Sequence, residues 1–235
     1  LFAVPLSESL FGKCTNLTLL ELLDLNRPLL RRLMLEAPGT YHHALMVGTL
    51  ADAGASAIGA NPLLARVIGY HHDIGKTKKP EYFIENLMVG SRNPHDRLAP
   101  AMSRLILESH VRDGVLLARE SKLPRLVQDG IAQHHGTSSV GLGYFYRQAR
   151  KEGNGEVNEM DFRYPGPRPQ TKEAAIVMLA DGVEAASRAA ASSSGSEIER
   201  IIRKLTNDRL ISGEFSECDL TLRDLEIICN AFIEV

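Results

Sequence analysis

The chain has 235 residues, with 27 Lys+Arg against 29 Asp+Glu, 44% hydrophobic residues and eight histidines. That is one large domain or two small ones, with enough apolar sequence for a core and too much for a disordered chain. A formal charge of −2 leaves no basic excess for binding a DNA or RNA polymer, no apolar run reaches the roughly 18–20 residues of a membrane span, and three cysteines without a CxxC argue against a disulfide framework and for a reducing compartment.

The pattern is helical almost throughout. Leu17, Leu20, Leu23, Leu30 and Leu33 recur at helical steps, interrupted at Asn26-Arg27-Pro28, where Pro28 suits a helix start. Ala37-Pro38-Gly39-Thr40 breaks the chain, and Thr40 or Tyr41 opens a helix running to Ile58. Gly59-Ala60-Asn61-Pro62 reads as stop, N-cap and N1 proline for a helix from Leu63 to about His72. A polar stretch from Gly75 to Pro100 follows, then helices at about 101–109, 111–121 and 124–134, with His110 at a junction. Gly136 to Gln170 is rich in glycine, proline and mixed charge and reads as a long irregular loop with a possible small hairpin; loops of this length in a compact domain are usually functional or mobile. Thr171 reopens helix to about Ala191, Ser192–Gly195 is a turn, and helices near 196–211 and 221–234 finish the chain, the last behind the capping-box spacing Thr221…Asp224. The expected fold is one all-α domain over residues 16–235, with residues 1–15 as a lead-in.

All eight histidines lie between His42 and His135, and six form three adjacent pairs. A buffering role would scatter them; this distribution suggests a site. Its centre is Tyr70-His71-His72-Asp73-Ile74-Gly75-Lys76. His72 and Asp73 place two ligand types together at a helix end, and the two oxygens of Asp73 can bridge two metals. Alone, the pair reads equally well as a helix-terminal cap. His43 lies 29 residues earlier, near the start of the preceding helix, and two antiparallel helices bring these positions together. Only one residue of an adjacent helical pair can face a site. His110 and His134-His135 are further candidates, although a single histidine is more often a satisfied core or surface residue. Asp181 interrupts an apolar helix face beside Val177 and Met178, where a carboxylate is unfavourable unless paired or metal-bound.

Five histidines and two aspartates suit a borderline metal such as iron, manganese or zinc. With Asp73 bridging, one ion takes His43, His72, Asp73 and Asp181, and the other takes Asp73, His110, His134 and His135. Such a pair would clamp a phosphoryl group for attack by a bridging hydroxide, with Lys76 neutralising charge on the phosphate oxygens.

His43, His72-Asp73 and Asp181 resemble the H…HD…D pattern of the HD-domain metal phosphohydrolases, and His110 with His134-His135 resembles their binuclear subgroup. Longer stretches, including Ala37-Pro38-Gly39-Thr40-Tyr41-His42-His43, Asn93-Pro94-His95-Asp96 and Phe162-Arg163-Tyr164-Pro165-Gly166-Pro167, resemble the cytoplasmic domain of the bacterial seven-transmembrane-receptor HD hydrolases of the PgpH type. The resemblance covers nearly the whole chain. It implies an HD-domain helical bundle, hydrolysis of cyclic di-AMP to linear pApA, and two divalent ions per chain, iron or manganese. It also implies membrane helices upstream of Leu1, so that this chain is the soluble cytoplasmic part with residues 1–15 juxtamembrane, and a homodimer is a further expectation. The cyclic di-GMP enzymes carry Gly-Tyr-Pro after their His-His; here Gly141-Leu142-Gly143-Tyr144 follows instead. Other nucleotide phosphohydrolases, mononuclear or specific for cyclic di-GMP, and a nucleotide sensor that no longer cleaves, are the alternatives. Lys76, Arg97 and Arg163 are expected to contact phosphates, and Tyr144, Phe145 or Tyr164 to stack on a base. His95 is expected to order its loop.

Overall fold

The computed structural model describes residues 14–88, 90–152, 157–190 and 194–235. Most of the expected lead-in, the end of the Thr171 helix at Ala191, and Ser192-Ser193 of the expected turn lie outside these. The described residues form ten α-helices: α1 (Asn16–Leu22), α2 (Pro28–Glu36), α3 (Pro38–Ala57), α4 (Pro62–His71), α5 (Pro100–Glu120), α6 (Arg125–Gln133), α7 (Tyr144–Glu152), α8 (Lys172–Ala189), α9 (Gly195–Ile211) and α10 (Leu222–Glu234). No named strand occurs among them, and no helix is long and apolar enough to cross a membrane.

Local chemistry sets the helix ends. Asn61 accepts a hydrogen bond from the Leu64 amide and Pro62 takes N1 of α4. Thr171 caps α8 through the Ala174 amide. Glu173, in the first turn of α8, accepts from the Asn61 amide at 2.8 Å, so the starts of α4 and α8 are tied together. Thr221 and Asp224 form a complete capping box on α10.

The core is centred on α8, whose residues Ala174 to Ala180 are all buried. It packs against α3, α4, α6 and α9, while α3 also packs on α10. The tightest approach is between α3 and α4. A methyl group on Gly69 would stand 2.7 Å from the Gly48 Cα, so only hydrogen at both positions allows the backbones this close. That approach brings the second turn of α3 level with the C-terminus of α4, where His43 and His72 lie.

Four expectations are corrected. The stretch between α2 and α3 is a single residue, Ala37, and α3 begins at Pro38 rather than Thr40, because proline is well suited to the first helical position. Helices 101–109 and 111–121 are one continuous α5, so His110 is not at a junction. The Ser109 hydroxyl donates to the Ile106 carbonyl, a bond made within the helix without breaking it. The 136–170 segment contains no hairpin among its described residues. It holds α7, two short 3₁₀ turns and a single bridge between Ser139 and Arg163. Phe145 is also not free to stack on a base: it is buried with Val140, Phe162 and Tyr164 in a second, smaller apolar cluster.

Candidate metal centre

Five helices bring the seven candidate ligands to one place. His43 comes from α3, His72 caps α4 with Asp73 following, His110 faces inward from the middle of α5, His134 caps α6 with His135 following, and Asp181 comes from α8. The donor atoms form two groups, each within 4.8 Å: His43, His72, Asp73 and Asp181, and His110, His134 and His135.

Asp73 stands between the groups and is almost fully buried. Its Oδ2 lies 3.2 Å from His72 Nε2 and 3.5 Å from His43 Nε2. Its Oδ1 lies 3.3 Å from His110 Nε2 and 3.8 Å from His134 Nε2. Asp181 completes the first group, with Oδ1 3.1 Å from His43 Nε2 and 3.8 Å from His72 Nε2. Its Oδ2 is 3.6 Å from His135 Nδ1.

The outer nitrogens are held from behind. His72 and His134 each donate from Nδ1 to a backbone carbonyl three residues earlier, Gly69 and Ile131, both at 2.7 Å. His110 does the same to the Leu107 carbonyl, and His43 Nδ1 meets the Glu184 carboxylate. A donor at Nδ1 leaves the Nε2 lone pair pointing inward, which is the tautomer a metal requires.

The inward atoms lack ordinary partners. Asp73 Oδ1 and His72 Nε2 are buried without a partner in hydrogen-bond geometry, and Asp73 Oδ2 has the Lys76 ammonium beside it at 2.6 Å. His110 Nε2 and His134 Nε2 face one another at 3.3 Å, although each imidazole already donates from its other nitrogen. Two acceptors aimed at each other need a proton or a cation between them. This donor set therefore fits divalent metal, with imidazole and carboxylate as ligands and no thiolate.

Without an ion, the carboxylates draw a proton onto His72 instead. Burial opposes the charge on Asp73, but His72 and Lys76 outweigh it and hold the carboxyl well below its usual range. Burial likewise opposes the charge on Asp181, and His43 and His72 beside it hold that carboxyl well below its usual range. Burial also works against a charged His72, yet Asp73 and Asp181 raise its pKa to about 10. Burial lowers His134 to about 3, assisted by the positive His72.

Lys76 Nζ lies 2.6 Å from Asp73 Oδ2 and 2.8 Å from Glu85 Oε1. Its ammonium is held at the edge of the cluster between two carboxylates. Tyr164 stacks on the His135 ring, with centroids 4.2 Å apart and planes 24° apart. Arg163 donates to the Thr137 carbonyl at 3.3 Å and to Glu159 at 2.7 Å. Arg97 is exposed at the end of the Pro94–Arg97 turn, and Tyr144 is exposed. His95 Nε2 bonds the Tyr82 carbonyl at 2.9 Å, which ties its loop down.

Three carboxylates around the site were not singled out from sequence. Glu184 sits one turn after Asp181 on α8, and that i+3 spacing is the signal that could have found it. Glu85 pairs with Lys76 and accepts from the Thr40 hydroxyl at 3.0 Å. Glu214 is fully buried and accepts from the Thr137 amide and hydroxyl, both at 2.9 Å, which fastens the turn after His135. Nothing local in sequence marks these last two.

The HD domain family description matches residues 40–186, which include all seven candidate ligands. The chain is 49% identical over 227 residues to the cyclic-di-AMP phosphodiesterase PgpH of Bacillus subtilis, covering 97% of this chain and 31% of that protein. It is 48% identical over 230 residues to PgpH of Listeria monocytogenes, covering 98% and 32%. The chain thus spans about a third of the length of the curated relatives it matches. Among solved structures, the Listeria monocytogenes PgpH HD domain in complex with cyclic-di-AMP superposes with a TM-score of 0.85 at 47% identity, covering 89% of this chain and 96% of that one.

Proposed function

This chain belongs to the HD domain family, and from that premise we propose that it is a binuclear-metal phosphodiesterase hydrolysing cyclic di-AMP to linear pApA. One observation carries the binuclear reading: the two oxygens of Asp73 face two separate histidine groups, Oδ2 beside His43 and His72 and Oδ1 beside His110 and His134. The relatives named for this activity, and the neighbour solved with the dinucleotide, support the substrate.

His43, His72, Asp73 and Asp181 would hold one ion, and Asp73, His110, His134 and His135 the other. Iron or manganese suits this donor set. Two such ions supply an acidified water and neutralise charge on a phosphodiester. The protein's own groups do the rest. Asp73 stays ionised beside Lys76, so its carboxylate would be available to hold an ion. The Nδ1 hydrogen bonds fix the imidazoles of His43, His72, His110 and His134 before any ligand arrives. Tyr164 covers one face of His135. In the reaction one phosphorus–O3′ bond breaks. The oxygen of one water ends on phosphorus as part of a 5′-phosphate, and a proton ends on O3′. The upstream membrane segments implied by the resemblance, and a homodimer, belong to the same proposal.

The test is elemental analysis of the purified protein beside chromatography of its products. The expected result is two ions per chain and pApA from cyclic di-AMP, with Asp73→Ala removing both ions and turnover. Full turnover in that variant sinks the mechanism. One ion per chain returns the site to a mononuclear nucleotidase, faster cleavage of cyclic di-GMP reassigns the substrate, and tight binding without product makes the domain a sensor.

A further inference from the structure

We infer that Glu85 is a positioning residue for Lys76: backed by Thr40, it keeps the lysine ammonium beside Asp73 once that carboxylate is shared with metal ions. The role rests on the function proposed above, in which Lys76 neutralises charge on the phosphodiester. A lysine is a point charge on a flexible four-carbon stem, so its place in a site is set by what its three N–H donors meet. Lys76 Nζ meets Asp73 Oδ2 at 2.6 Å and Glu85 Oε1 at 2.8 Å, which leaves one N–H for an oxygen of the phosphodiester. The Phe83 ring lies against the ammonium, its centroid 4.9 Å from Nζ. Asp73 by itself does not keep the ammonium there. Ions drawing on its oxygens take up the negative charge that attracts Lys76, and they repel the ammonium themselves. Glu85 is then the counter-charge that remains, and its side chain is only 5% exposed, so water and salt screen the pair little.

The carboxylate is itself fixed from behind. Glu85 belongs to the short turn Ile84–Asn86, which docks on the start of α3. The residue before α3 is Ala37, whose side chain cannot cap a helix. Asn86 supplies that cap from outside: its Oδ1 accepts from the Thr40 amide at 3.0 Å, and its Nδ2 donates to the Thr40 hydroxyl at 2.9 Å. The hydroxyl then gives its own proton to Glu85 Oε1 at 3.0 Å, the same oxygen that meets Lys76. Thr40 is fully buried. Gly39 lets the turn come so near that a methyl group there would stand 1.8 Å from the Glu85 carbonyl oxygen. His43 follows Thr40 by one turn of the same helix, and Phe83 packs edge-on against the His110 ring with centroids 5.6 Å apart. The 83–86 segment is thereby fastened to both histidine groups, and the lysine it holds is placed relative to both.

The test compares wild type, Glu85→Gln, Lys76→Met and the double variant, with thermal unfolding and metal content recorded for all four. In protein carrying isotope-labelled lysine, NMR reads the ammonium directly, and Lys76→Met identifies the Lys76 signal by removing it. Zinc serves as the ion here because it is diamagnetic. The expected result is a slowly exchanging Lys76 ammonium signal that survives zinc in wild type and is lost on adding zinc to Glu85→Gln. With cyclic di-AMP, Glu85→Gln should lower kcat about 10- to 100-fold with KM little changed. The double variant should be no slower than Lys76→Met, since the two residues act as a unit. If Glu85→Gln does not fold, Thr40→Val takes its place in both measurements, and Thr40→Ser should restore the signal and the rate. A Lys76 signal that survives zinc in the folded variant, or losses that multiply in the double variant, overturns the role of Glu85. A wild type whose signal depends on Glu85 in this way, yet which leaves cyclic di-AMP intact, keeps the positioning role and overturns the proposed function.

Discussion

Gly75→Ala offers a sharp test of how the centre is assembled. Gly75 lies in the turn after Asp73, which packs on α5. A methyl group there would stand 1.9 Å from the His110 carbonyl oxygen and 2.5 Å from the Gly114 amide nitrogen. Both obstacles are backbone, so no rotamer change relieves them, and the turn and α5 must separate by more than about 1 Å to reach ordinary contact. Overpacking of this kind costs about 3 kcal/mol or more. In a domain of this size that lowers Tm by roughly 6–12 °C. The displaced peptide carries His110, whose Nε2 is 3.3 Å from Asp73 Oδ1, so the ion of the second histidine group should be lost before the first. Gly114→Ala is the comparison. Its methyl would meet the Ile131 Cγ2 methyl at 3.0 Å and Gly75 only at 3.4 Å, so no backbone stands closer than ordinary contact and it should cost less. Thermal unfolding and metal content of the two variants decide the matter. A Gly75→Ala protein with wild-type Tm and two ions refutes the reasoning.

Glu184→Gln keeps the shape behind His43 while removing the charge, and should weaken metal binding about 10- to 100-fold with the fold intact; competition against a coloured chelator measures this, and unchanged affinity would remove Glu184 from any positioning role. Thr221→Ala opens the α10 capping box far from the metals. It should cost about 1 kcal/mol, seen as a Tm lower by about 2–4 °C, with metal content and kcat unaltered.

Much of the fold was legible because its helices announce their ends. Pro28, Asn61-Pro62, Thr171 and Thr221 each use chemistry confined to a few neighbouring residues. The seven cluster residues were legible for a different reason: histidine pairs and an aspartate on an apolar face are unusual enough to need an explanation. Glu85, Glu184 and Glu214 carry no such mark. A glutamate in a helix or loop is ordinarily solvated, and only the packing of distant elements makes these three buried partners of Lys76, His43 and Thr137. The continuous α5 was missed because Ser109 and His110 look like a boundary, whereas the structure spends the serine hydroxyl on its own helix.

The five-helix origin of the cluster gives bound ions a second effect. His43 and Asp181 stand 138 positions apart in the chain, so an ion shared by them is a cross-link closing a very long loop. In the polymer picture, closing a loop of over a hundred residues removes about 4–5 kcal/mol of freedom from the unfolded chain. Unlike a disulfide, this staple is reversible. Resistance to unfolding should therefore follow free metal by mass action, gaining about 2.7 kcal/mol when the ion is a hundredfold above its Kd. Metal starvation would then shorten the domain's lifetime against proteases as well as silence its active site.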